Sequence, residues 1–317
     1  MAVDYRYAAK RTLHSIPTVF IVTVFVFFLV HLIPGSPARA MLGTRTTPEA
    51  IAQVEAELGL NEPLYVQYFD WLSSVLVGDL GYSYQLSQPV AELVVGRFLI
   101  TFHLVFWTAV LTVLISIPLG VLSAVKKDSW FDHGIVLSTT AGISLPELVA
   151  GVLFLNLFGI HLDLLPVQGF VPPRQNIIDY FRHITLPVMA LTIPSVSIVL
   201  RMTRSSVWES LQEDFARFYR ANGLPERVIY RRVLKKSLVP VLTIFGIHFG
   251  YMLAGAVVVE QLFSLPGIGQ SLVNGTRQRD IPIVQGTVLV IALWFIVINL
   301  VTDLLIEHFD PRIRGDH

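Results

Sequence analysis

The sequence predicts an all-α membrane protein with six transmembrane helices. Three observations carry that prediction. Apolar residues make up 53% of the 317-residue chain, and mean hydropathy is +0.63. Charged residues supply 15%, well under the roughly 25% of soluble domains. The apolar residues are also gathered into runs, and a helix needs about 20 of them to cross a bilayer. Formal net charge is zero, so no nucleic-acid partner is expected. The chain has no cysteine, which excludes disulfides and thiolate chemistry.

The first run, 16–33, follows Arg6, Lys10 and Arg11. Ala38-Arg39-Ala40 mimics a cleavage site, but the apolar core exceeds the 7–15 residues of a signal peptide, so it reads as an uncleaved anchor. Residues 34–97 form the longest polar segment. Thr47-Pro48-Glu49 predicts a helix start, with Ile51, Val54 and Leu58 at helical spacing and Gly59 as the stop. A second helix is expected over 63–76, rich in Tyr65, Tyr68, Phe69 and Trp71, then a turn at Gly78-Asp79-Leu80-Gly81. This region suits an interfacial lid, a docking surface for an external partner, or both. Further spans are expected at 98–125, 134–160, 241–259 and 286–306, with a shorter one at 185–200 that holds Pro187 and Pro194. Outer loops fall at about 162–184 and 264–285.

With six spans, sixteen Lys and Arg lie on the side of the termini and seven on the other. The positive-inside rule therefore puts both termini in the cytoplasm of a multi-pass membrane protein.

On that same side Arg217, Arg220, Arg227, Arg231, Arg232, Lys235 and Lys236 crowd into one short segment. Gly223 reads as a helix C′ residue, Pro225 as the first position of the next helix, and Glu226 as its dipole partner. The segment therefore predicts helix, tight turn, helix. Ile229, Tyr230, Val233 and Leu234 share one face of the second helix, while Arg227, Arg231 and Lys235 recur on another. Pro240 marks the entry to the next span. Such a helix can rest on anionic lipid headgroups or insert into a partner's groove.

The stretch Phe215-Ala216-Arg217-Phe218-Tyr219-Arg220-Ala221-Asn222-Gly223-Leu224 resembles the coupling loop of ABC importer permeases of the dipeptide/oligopeptide branch. Phe218 and Tyr219 depart from the small residues usual there. Similar to the same branch are Pro34-Gly35-Ser36-Pro37, Glu57-Leu58-Gly59-Leu60, Gly78-Asp79-Leu80-Gly81, Ser144-Leu145-Pro146, Val258-Val259-Glu260, Pro266-Gly267-Ile268-Gly269, Arg279-Asp280-Ile281-Pro282 and Asp310-Pro311-Arg312. Ile100-Thr101-Phe102 departs from a Pro-Ala-Thr-like start.

The resemblance covers nearly the whole chain. It implies a type I ABC importer permease fold with a helical extracytoplasmic insertion after the first helix. The expected layout is a first helix plus outer region over 1–96, a permease core over 97–308 with a coupling hairpin at 205–240, and a cytoplasmic tail at 309–317. It implies a bacterial or archaeal cytoplasmic membrane, a second homologous permease, two ABC ATPase subunits and an extracytoplasmic substrate-binding protein. Arg217, Tyr219, Arg220, Ala221, Asn222, Gly223, Leu224, Pro225 and Glu226 would contact the ATPases. Peptides are the implied cargo; oligosaccharides, nickel complexes and other solutes are carried by near relatives.

The chain has no G-x-x-x-x-G-K-[ST], so ATP and Mg would belong to partner subunits. Neither a helical metal pair of histidines nor a G-x-S-x-G elbow occurs, so no catalytic or metal site is expected. An ion-coupled secondary transporter is the competing class, but no internal duplication is visible.

Glu147, in the third span after Pro146, either caps a helix break or lines a substrate path. Its exchange for glutamine would then weaken uptake of substrates with a free amino group. His248 in the fifth span fits a packing histidine or a second pathway residue. Glu260, Asp303 and Glu307 are expected to reach headgroup water or pair locally.

Overall fold

The structure, a computed structural model, describes residues 5–31, 47–57, 59–83 and 85–309. The expectations at Pro34–Pro37, Ala38–Ala40, Leu58 and Asp310–Arg312 lie outside them. The elements, in order, are α1 (Tyr5–His31), α2 (Pro48–Glu57), α3 (Leu64–Leu76), β1 (Tyr82–Ser83), β2 (Gln88–Pro89), α4 (Val90–Val125), α5 (Trp130–Ser144), α6 (Glu147–Phe154), a π-helix (Leu155–His161), α7 (Ile177–Gln212), α8 (Asp214–Ala221), α9 (Glu226–Leu262), α10 (Ile268–Gln278) and α11 (Ile281–Phe309). The only strands among the described residues are β1 and β2, paired as one antiparallel turn.

Among the described residues, four helices, α4, α7, α9 and α11, are long and apolar enough to cross a membrane. The expected span 134–160 is not straight. It is α5 and α6 with the π-helix, bent by 100° at Leu145-Pro146. Proline lacks an N–H and disfavours helix in the residue before it, so the ladder stops at Ser144 and restarts at Glu147. The bent pair is a fifth crossing if it counts as one span, and α1 holds a shorter apolar stretch, Ser15–Phe28.

The expected short span 185–200 is far too short. Helix α7 runs 36 residues through both Pro187 and Pro194, and 67% of its apolar window is buried in protein, against 11% for α11. Packing supports the helix where propensity does not. Its hydroxyls also close back on the backbone: Thr192, Ser195, Ser197 and Thr203 each donate to the carbonyl four residues earlier. Nor does Pro240 separate a basic helix from the fifth span, because α9 is continuous through it. The expected loop 264–285 is largely helix, with α10 starting after Gly267 and α11 at Ile281.

The chain forms two compact units. One is built on Phe102–Leu265, where α5, α6 and α9 pack on the central α7. The other holds Leu13–Thr101 and Pro266–Ile296. Within the second, Tyr68 is buried on α1, sharing a 2.9 Å hydrogen bond with Thr23 and an edge contact with Phe27, while Tyr65 and Phe69 stay exposed. Its second core joins Val90, Leu93, Val94, Ile268 and Ile283.

That core explains three of the short motifs. Asp79 accepts from the Gly81 N–H at 2.8 Å, forming a tight turn with Gly81 at φ +85°. A Cβ on Gly81 would meet Pro282 at 3.3 Å. Ser83 donates to the buried Asp280 at 2.5 Å across 197 residues. Thr101, at the departure from the family pattern, accepts from the Ile268 N–H at 2.9 Å. Ser83→Ala strips the Asp280 side chain of its hydrogen bond and is expected to cost about 2 kcal/mol, read as a lower thermal midpoint. An unchanged midpoint would mean that Asp280 gains nothing from the contact.

Candidate functional site

The basic segment folds as the glycine and proline punctuation predicts. Helix α8 ends at Ala221, and Gly223 takes φ +72°. The Leu224 N–H donates to Tyr219 O at 3.1 Å and the Gly223 N–H to Arg220 O at 3.0 Å. These two bonds satisfy carbonyls that the helix end would leave open, as in a Schellman motif. Pro225 is the N-cap of α9 and not its first helical residue; that place falls to Glu226.

The hairpin is anchored from beneath. Ala216, Ile229 and Val233 join Ala124, Val207 and Leu211 in one buried cluster, with Tyr219, Leu224 and Tyr230 packed against it. Across the turn, Arg220 Nε donates to Glu226 Oε1 at 2.9 Å. That bond, foremost, holds the Arg220 guanidinium above its already high ordinary value. Arg232 lies over the Tyr219 ring at 4.5 Å, and Lys236 pairs with Glu213.

The expected contact residues therefore divide. Tyr219 and Leu224 turn inward and hold the hairpin, and Arg220 and Glu226 lock it. Arg217, Ala221, Asn222, Gly223 and Pro225 stay exposed. Sequence reasoning left out Phe218, which stands 64% exposed at the tip. Its only signal was its departure from the small residues of the resembling loop. On α9, Arg227, Arg231 and Lys235 are exposed with no ion-pair partner among the described residues.

A second feature is a cavity of about 440 Å³ between α5, α6, α7 and α9. Glu147 and His248, widely separated in sequence, both line it. Glu147 is the first residue of α6, after Pro146 at the N-cap, which supplies no side-chain cap. Its charge still complements the positive end of the helix. His248 is buried, with Nε2 3.2 Å from Ser195 Oγ, so it is a satisfied packing histidine and a lining residue at once. Glu260 and Glu307, expected to reach headgroup water or pair locally, are 0% and 1% exposed, enclosed by the fold, and each has interactions within the chain.

A third feature had no sequence signal. Arg204 grips Asp132 through two bonds, Nε–Oδ1 at 2.6 Å and Nη2–Oδ2 at 2.7 Å. Ser123 Oγ donates to the same carboxylate at 2.5 Å and the Asp128 N–H at 3.1 Å. One buried acid thus ties the end of α4, the turn before α5 and the middle of α7.

Residues 116–315 match the family described as the binding-protein-dependent transport system inner membrane component, and residues 4–105 match the N-terminal part of such membrane components. The chain is 39% identical over 310 residues to a glutathione transport system permease protein of Salmonella typhi, covering 97% of this chain and 98% of that one. It is 36% identical over 308 residues to a putative peptide transport system permease protein of Brucella abortus, at 97% and 98% coverage. It is 37% identical over 309 residues to a probable peptide ABC transporter permease protein of Sinorhizobium fredii, at 97% and 99% coverage. An all-α chain of long apolar helices, matched by the profiles over nearly its full length, belongs to the family of inner membrane components of binding-protein-dependent transport systems.

Proposed function

We propose that the chain is the pore-forming permease subunit of an ATP-driven importer of peptides in a bacterial or archaeal cytoplasmic membrane, with both termini in the cytoplasm. The observation that carries this reading is the hairpin 214–226: a rigid turn, anchored from below, with Phe218 and Arg217 presented outward. Such a tip suits insertion into a cleft of an ATPase subunit. Two ATPase subunits would supply ATP, Mg and hydrolysis, a second homologous permease would complete the pore, and an extracytoplasmic binding protein would deliver cargo. Closure of the ATPase pair would move the hairpin and reorient the bundle. Relatives named for peptide and glutathione transport support a peptide cargo, glutathione being itself a tripeptide. Glu147 and His248 are assigned to the cargo path.

The test is co-purification of the tagged chain with its ATPase subunits. No side chain would clash at 223, so only the backbone decides. A β-branched residue is strained at positive φ, whereas asparagine tolerates it. Gly223→Val is expected to lose most ATPase capture and ATP-driven uptake, and Gly223→Asn to keep both. Equal capture by wild type and Gly223→Val would remove the hairpin from the coupling role.

A further inference from the structure

The cavity of Glu147 and His248 specifies more than a passage. Glu147 is the sole formal charge among its lining residues, is half-buried, and makes no hydrogen bond or ion pair among the described residues. Its carboxylate lies against Gly255, where a Cβ would stand 3.3 Å from Oε1. The Ser195 hydroxyl donates to Leu191 O at 2.7 Å. With that proton given to Leu191, it presents a lone pair toward His248, which assigns Nε2, at 3.2 Å, as the donor. In a neutral ring with its proton on Nε2, Nδ1 is the acceptor. Tyr251 adds an exposed aromatic ring 6.0 Å from the imidazole. The remaining walls include Ile143, Ile198, Ile244 and Ile247.

We infer that this cavity recognises a primary ammonium group carried next to an apolar side chain, as at the amino end of a hydrophobic peptide. The inference rests on the assignment of the cavity to the cargo path. A partly desolvated carboxylate calls for a cation. A ring nitrogen fixed as an acceptor takes a second N–H of the same group. The Tyr251 face favours a positive charge, and the isoleucines take the side chain. An N-acylated end has lost both the charge and the spare donors. Ser195 and Gly255 act as positioning residues: one fixes the tautomer of His248, the other leaves room for the carboxylate.

The experiment uses the permease complex purified with its co-purifying subunits in lipid nanodiscs, without the external binding protein. Leucinamide and N-acetyl-leucinamide are titrated by calorimetry. Wild type is expected to prefer leucinamide by about tenfold or more, the scale of one charged hydrogen bond. Glu147→Gln is expected to abolish the preference. Ser195→Ala is expected to weaken leucinamide binding several-fold, and Ser195→Thr, which keeps the hydroxyl, to retain it. Should Glu147→Gln fail to assemble, Glu147→Asp, which keeps the charge and shortens its reach, is expected to weaken the preference, and an unchanged preference would overturn the site. A wild-type complex without the preference, or a Glu147→Gln complex that keeps it, overturns the ammonium site. ATP-driven uptake of dileucine, measured with the binding protein restored, tests the parent reading separately. Preference without uptake overturns the cargo-path assignment alone, and uptake without preference overturns the ammonium site alone.

Discussion

Asp132→Ala is expected to lower the stability of the chain by about 3–5 kcal/mol, the range for breaking a buried ion pair from one side. The carboxylate is 3% exposed and receives four hydrogen bonds, two from Arg204 and one each from Ser123 and the Asp128 N–H. Alanine removes all four acceptor contacts and leaves the Arg204 guanidinium, itself only 25% exposed, without its counter-charge. The penalty is chiefly that of the stranded cation. Arg204→Met on top of Asp132→Ala should therefore recover part of the loss, because an apolar side chain replaces the unpaired charge. Thermal unfolding of the four members of this double-mutant cycle in detergent measures the coupling. Additive losses would mean that the two side chains do not depend on each other.

Gly120→Val is expected to cost about 3 kcal/mol, the upper end for overpacking a tight contact. A Cβ at residue 120 would fall 2.7 Å from Thr203 Cβ and 3.1 Å from the Leu200 carbonyl oxygen. Neither neighbour can give way. Thr203 is fully buried and branched at its Cβ, with its hydroxyl donated to Val199 O at 2.8 Å, and the carbonyl is backbone. Small residues at such crossings let helix backbones approach in a membrane, where packing rather than the hydrophobic effect holds helices together. The measurement is the thermal midpoint of the purified variant beside wild type. A midpoint within experimental scatter would show that α4 and α7 can separate here without loss.

Local chemistry was legible in the sequence wherever one residue decides the backbone. Gly223 and Pro225 located the hairpin to within a residue, because a left-handed turn and a fixed φ leave few alternatives. Helix α7 was not legible as a long span. Its serines, threonines and two prolines lower its apolar signal, and they are tolerated because neighbouring helices surround it. The Asp132–Arg204 pair was invisible for a different reason: its partners lie 72 residues apart, and no local spacing links them. The cavity was half legible. Glu147 and His248 each stood out as polar groups in apolar runs. That both line one space follows only from the packing of α5, α6, α7 and α9.

The 100° bend at Leu145-Pro146 also sets which backbone groups border the cavity. A helix that ends at Ser144 leaves its last carbonyls without intrahelical partners, and one that restarts at Glu147 leaves its first N–H groups in the same state. In hydrocarbon each such group costs several kcal/mol, so a break of this kind persists only where protein or water meets it. Any molecule in the space beside Pro146 therefore meets open backbone N–H and C=O groups as well as side chains.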